Sequence, residues 1–385
     1  MISVRFWMSL RGGLLALMCA WPHSGLTMSL AKGDVLGGRY DLQGYARIEE
    51  DVLLYKNTPD PAVTTRSTDL RRARLGLRLR WHDDWVFRAA GNFAHRSSLR
   101  DLWLEYRGWP VRIEIGRFPE PFSLGESISS SDTLIISRPS PTALGPDYGF
   151  GMGFNYRGGS WGLSGGAFTR NAGYSLSGRY PENALDLRGT WRPLSGEVGY
   201  LHIGASASLR QTKQGSGVQL FGTAESPLAS GLAPRSALQP DTDRYRLLGG
   251  EMAIRLGPVL VLSEYIRANV TSGGPSWHGE YIEAGWCLTG EQRAYSTRYG
   301  TVGGIRPARP VTMGGFGAWE LAARWSTTDL REGGGDRGRV GAVGLNWYPI
   351  DPLRVGIGAQ RVHRDLFDGT QRDGTLAQLQ LQLGF

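Results

Sequence analysis

Beyond residue 25 the sequence has no apolar run approaching the roughly twenty residues a membrane helix requires, which excludes helical spanning along nearly all of its 385 residues. Cysteine is almost absent. Cys19 lies in the leader described below, and Cys287 then stands alone, so no intrachain disulfide can form. Lysine is scarce as well: Lys32, Lys56 and Lys213 are the whole set, although Lys and Arg together number 43 against 35 acids. The positive charge is therefore guanidinium charge, and an excess of it attracts anions. No metal-ligand spacing is visible, and no Gly-rich phosphate cradle precedes a helix. A slightly negative mean hydropathy would suit a soluble protein. It equally suits a transmembrane barrel, whose strands meet lipid with every second residue only.

The start of the chain is different in kind. Arg5 and Arg11 flank a short opening, an apolar run from Gly12 to Trp21 follows, and Pro22 breaks it. A basic start, a core too short to span and a polar exit make a secretory leader. Two cleavage positions fit, after His23-Ser24-Gly25 or after Ser29-Leu30-Ala31, so residues 1–31 are read as leader and 32–385 as one domain. Ala16-Leu17-Met18 before Cys19 is a poor lipobox. Losing Arg5 and Arg11 lowers the formal charge from +8 by two. Export sets nucleic acid aside as a partner.

What is abundant is alternation. From Asp69 to Trp81, Ala73, Leu75, Leu77, Leu79 and Trp81 share one face, and Arg72, Arg74, Gly76, Arg78 and Arg80 the other. A period of two over this length is a strand with one oily and one wet side. The last residues repeat it: Ala377, Leu379, Leu381, Leu383 and Phe385 alternate with Gln378, Gln380 and Gln382. As an open edge this strand would invite aggregation, which closure into a barrel removes. Short turns recur at His82-Asp83-Asp84, Gly108-Trp109-Pro110, Gly158-Gly159-Ser160 and Gly257-Pro258, while 119–147 and 211–241 are long links. Trp81, Trp85, Trp109, Trp161, Trp191 and Trp347 sit beside the short turns, where an indole suits a membrane interface. Sixteen alternating segments can be counted between 40–54 and 375–385. The expected fold is all-β, an antiparallel transmembrane barrel of sixteen strands, wide enough for an aqueous channel. Residues 290–316 fit badly, as a long connection on the short-turn side; the register there and in 211–242 is open. Cys287, within Gly-Trp-Cys-Leu, is expected to face the membrane.

Arg112–Phe154, Tyr281–Ser296, Gly317–Leu330 and Gly344–Val355 resemble, in order and spacing, the phosphate-selective porin O and P family. Leu288-Thr289-Gly290-Glu291 and Gly317-Ala318-Trp319-Glu320-Leu321 carry the likeness most specifically. The resemblance implies a homotrimeric outer-membrane channel with anion preference and a third loop folded into the lumen. That constriction loop would carry Glu120, Glu126, Asp132 and Arg138. The chain departs from the family's pattern at Pro119, where a lysine often precedes Glu-Pro-Phe, and loop 118–147 has no lysine. Terminal Phe385 resembles the closing signal read by the barrel-assembly machinery.

On the alternation, Arg72, Arg74, Arg78, Arg80, Arg88, Arg112, Arg188 and Arg324 line the lumen, with Arg210 beside them. Inward acids are Asp101, Glu105, Glu114, Asp186 and Glu320. Arginine on a channel wall attracts anions, and its planar fork suits phosphate or carboxylate. Arginines paired to those acids would only brace the wall, and both readings stay open. The five histidines of the mature chain do not converge on one membrane level; His202 is expected as a lumen-lining polar residue. The function expected is passive diffusion of small solutes, with small anions as cargo, outer-membrane lipid around the barrel, no cofactor, no metal and no catalysis. A non-selective, structural or adhesive barrel is the alternative, and a barrel-embedded hydrolase the remotest.

Overall fold

The computed structural model describes residues 28–35, 38–58, 64–94, 97–169, 183–240, 242–271 and 273–384. Residues 1–27, within the expected leader, and Phe385, the expected assembly signal, lie outside the described residues. The strands are β1 (Met28–Val35), β2 (Gly38–Thr58), β3 (Thr64–Trp81), β4 (Trp85–Asn92), β5 (Ser98–Tyr106), β6 (Val111–Pro119), β7 (Tyr148–Arg157), β8 (Trp161–Thr169), β9 (Asn183–Ser195) and β10 (Gly199–Gln211). After them come β11 (Arg244–Leu256), β12 (Val259–Val270), β13 (Ser276–Cys287), the short β14 (Tyr295–Ser296) and β15 (Thr301–Val302), then β16 (Ala318–Asp329), β17 (Arg337–Ile350), β18 (Leu353–Asp365) and β19 (Gln371–Gly384).

Every neighbouring pair in the main sheet is antiparallel, and β19 closes on β2 through the register Leu379↔Val52. Sixteen of its seventeen strands form the ring; β1 lies beside β2, along the edge beyond the end of β19. Among the described residues every strand of the ring is paired on both sides, as a backbone in lipid requires. The segments counted from alternation are the sixteen strands observed. The pattern is inside-out: Leu379 and Leu381 are exposed outward while Gln378, Gln380 and Gln382 are buried inward. Trp109, Trp161 and Trp191 stand exposed at the short-turn rim, where Trp319 and Trp347 stack at 5.7 Å.

Cys287 is a correction. It is buried against Ile305, Ala318 and Tyr348 inside the barrel, because Trp286, its exposed neighbour, holds the lipid-facing phase of β13. Its Sγ donates to Glu291 at 3.2 Å.

Candidate functional site

Among the described residues three connections fold inward. Residues 120–147, between β6 and β7, bring Phe122, Leu124, Ile128, Leu134, Ile135 and Ile136 into burial against the inner wall. The wall makes room with glycine: a Cβ at Gly285 would lie 2.5 Å from Leu134 Cδ2, and one at Gly279 only 2.8 Å from Pro141 Cβ. A polar clamp adds to this. Glu264 of β12 accepts from Ser123 Oγ, Leu124 N and Gly125 N at 3.0, 3.0 and 3.2 Å, meeting the first turn of the helical stretch Leu124–Ser127. Arg138 braces the loop from within, donating to Gly125 O and Ile128 O at 2.9 and 2.7 Å and lying 3.4 Å from Glu126. Burial raises the Glu126 carboxyl above its ordinary range, and Arg138 pulls it the other way.

The second inward segment is 212–243. Its Glu225 receives Arg324 Nε of β16 at 2.9 Å and Ser140 N of the first loop at 2.7 Å. The third is the misfit connection, 288–317, which comes from the short-turn side. Arg293 grips Glu320 with two bonds of 2.7 Å and also donates to Asp132 O, so segments entering from opposite ends touch. Arg188 of β9 holds Tyr299 O and Gly300 O at 2.7 and 2.9 Å. Arg298 then reaches Glu105 of β5 at 2.6 and 2.9 Å. The segment leaves the ring at β13 and is tied at β5, eight strands round a sixteen-strand ring. It is a strap across the full width of the lumen.

These loops divide the sequence-predicted arginines. Arg188 pairs with Glu251, Arg324 with Glu225 and Glu283, and Arg210 with Glu120 and Asp186. Arg72 pairs with Glu49; Arg88 donates to Tyr45 Oη at 2.8 Å and lies 3.5 Å from Asp101. Arg74 donates to Ser130 Oγ at 3.4 Å. Among the described residues Arg74, Arg78, Arg80 and Arg112 form no ion pair with a carboxylate, and Arg157 and Arg192 share this face with them. Above the strap a cavity of about 1150 Å³ is lined by Arg71, Arg74, Arg100, Arg235, Arg364 and Arg372 with Glu120, Glu126, Arg138 and Asp147. Arg100 is bound to Asp147 and stacked on Tyr148 at 4.1 Å. Asp132 joins the junction with the strap rather than this cavity.

His202 is buried, 2.9 Å from Glu251 and 2.7 Å from Tyr295 Oη. It ties the strap to the wall instead of lining open lumen. The string Gly162-Leu163-Ser164-Gly165-Gly166 matches a nucleophile elbow, yet it runs within β8 with no helix behind it, whereas an elbow is a strand-to-helix turn. Arg293, Arg298 and Glu225 were missed by alternation because they sit in segments with no period.

The family model described as "Phosphate-selective porin O and P" matches residues 43–385. An uncharacterized protein of Caulobacter vibrioides is 30% identical over 290 residues; the match spans 67% of this chain and 55% of that protein, about half its length. Porin O of Pseudomonas aeruginosa is 21% identical over 391 residues, covering 88% and 84%. The outer-membrane channel DcaP of Acinetobacter baumannii shares the fold with a TM-score of 0.59 at 12% identity, over 92% of this chain and 100% of that one. An anion-selective porin from Comamonas acidovorans does so at 0.59 and 12%, over 90% and 100%. The trimer form of OmpT of Vibrio cholerae follows at 0.53 and 10%, over 90% and 99%. The chain belongs to the phosphate-selective porin O and P family, and its sixteen-strand barrel is that of an outer-membrane porin.

Proposed function

We propose that this porin forms a water-filled channel with preference for small anions, phosphate-like oxyanions among them. The observation that carries the reading is the face of Arg74, Arg78, Arg80 and Arg112, guanidiniums with no carboxylate partner among the described residues, left beside the inward loops. Charges on a channel wall bias which ions enter, and a guanidinium remains charged at any ordinary pH. Paired arginines elsewhere contribute structure and little field. The experiment is a reversal potential across a planar bilayer in a salt gradient, repeated with chloride, phosphate and pyrophosphate. A potential of the sign for cations, or none, would overturn the reading. A lack of any conductance would favour the structural or adhesive alternative.

The assembly is read as a homotrimer inserted by the barrel-assembly machinery, with Phe385 as the closing signal. The rim of tryptophans and the trimer form of OmpT support this. Heat-modifiable migration, with a trimer band lost on boiling, is the expected behaviour; deletion of Phe385 should lower the outer-membrane amount. The leader is read as removed on export. Cleavage after Gly25 would leave β1 whole, and cleavage after Ala31 would take half of it, so the mass of the mature chain decides between them.

A further inference from the structure

Beyond the strap, the 288–317 connection turns outward, and the channel reading gives that part no role. Residues 309–317 form a closed hairpin: Gly317 N donates to Arg309 O at 3.0 Å, Gly315 N to Pro310 O at 3.1 Å and Met313 N to Pro310 O at 2.9 Å. Its tip presents Phe316 at 84% and Met313 at 77% exposure, with Val311 also exposed. Such side chains on a hairpin locked by its own hydrogen bonds have no reason to face water. The hairpin is fixed to the outer surface, because the indole of outward-facing Trp347 donates to Phe316 O at 2.9 Å. Trp286, Leu288 and Leu321, exposed on the adjoining strands, continue the apolar surface toward the membrane. Arg309 at the base adds positive charge at the same rim, where Arg306 is paired with Asp351 at 3.5 Å.

We infer that residues 309–317 are an interfacial anchor seated in the phospholipid leaflet on the short-turn side, with Met313 and Phe316 at the acyl boundary and Arg309 among the headgroup phosphates. Three features favour lipid as occupant: continuity with the lipid-facing belt, the Trp rim at the same level, and the apolar tip beside a basic base. Side chains of this kind lie in the interface plane and gain from both apolar burial and anionic headgroups. The anchor would fix the height of the rim from which the strap starts.

The inference rests on the outer-membrane reading, so its test carries a control for that reading. In a background with Cys19→Ser and Cys287→Ser, Phe316→Cys, Ile357→Cys and Asp368→Cys are each labelled with an environment-sensitive fluorophore. The barrels are reconstituted in phosphatidylethanolamine vesicles containing phosphatidylglycerol. Ile357 is exposed on the outer wall of β18 and Asp368 lies in the β18–β19 turn. Position 316 should show blue-shifted emission, quenching by lipids spin-labelled near the headgroup, and little quenching by iodide. Arg309→Ala should weaken the contribution of phosphatidylglycerol. Free access of iodide to position 316 overturns the inference, because the tip is then in water. Shielding from both quenchers overturns it too, because protein then covers the tip. Failure of lipid quenching at position 357 would defeat the barrel's insertion itself, and the anchor with it.

Discussion

The two sides of the lumen use the same residue for opposite ends. From β9 round to β19, the buried inward arginines hold something: Arg210 holds Glu120, Arg188 the strap carbonyls, Arg324 Glu225 and Glu283, and Arg364 Asp336. Arg354 donates to Asn346 and to Leu134 O. From β3 to β7 the set is mixed: Arg72, Arg88 and Arg100 are paired, but Arg74, Arg78, Arg80 and Arg112 hold no carboxylate among the described residues. The first side is a scaffold for loops, and the second faces the space the loops leave. Direction toward the lumen does not by itself give a role: on the proposed reading, pairing separates the arginines that brace the barrel from those open to a passing ion.

The largest effect should come from breaking a clamp. Arg324 is fully buried between Glu225 and Glu283, so Arg324→Ala leaves two buried carboxylates without their cation. Removing one partner of a buried pair costs about 3–5 kcal/mol. Urea unfolding of the refolded barrel should register a loss of that order, with the 212–243 segment released. A variant as stable as the parent would erase the distinction between the two sides.

Next is the apolar seat of the first loop. Leu134→Ala should destabilise by about 2–5 kcal/mol and raise single-channel conductance as the loop loosens. Gly285→Ala attacks the same seat from the wall, since its Cβ would meet Leu134 at 2.5 Å; overpacking costs about 1–3 kcal/mol. In the double variant the smaller residue at 134 should absorb the methyl, and the two losses should not add. Strict additivity would mean the loop does not rest on that glycine.

The sequence made one half of this comparison readable. Period-two alternation reports which way a side chain points, and through it all sixteen strands and the short-turn side could be found. Pairing could not be found that way. Glu225 stands 99 residues from Arg324, and Arg298 stands 193 from Glu105; both ions lie in segments without alternation. The strap left only a negative trace, a connection too long for its side of the barrel. Cys287 was misassigned for a local reason: at a strand end, one residue of phase separates lipid from lumen, and Trp286 held the outer position.

The smallest effect on folding, and the sharpest on function, is expected on the open side. Arg74→Glu with Arg78→Glu removes two charges that no ion pair among the described residues holds in place, so stability should stay within about 0.5 kcal/mol of the parent. The alternative orientation of β3 is closed on energetic grounds, because an arginine facing lipid at mid-bilayer in a barrel costs roughly 2–4 kcal/mol. Leu75 and Leu77 accordingly occupy that face, 58% and 46% exposed. The charge change in the lumen is four units per subunit, and selectivity should move toward cations. The shift should be greater at 0.01 M salt, where the Debye length is about 30 Å, than at 0.1 M, where it is about 10 Å. A double variant that inserts, conducts and keeps its reversal potential would show that unpaired arginines on this wall do not set ion preference. The comparison would then reduce to two ways of building the same wall.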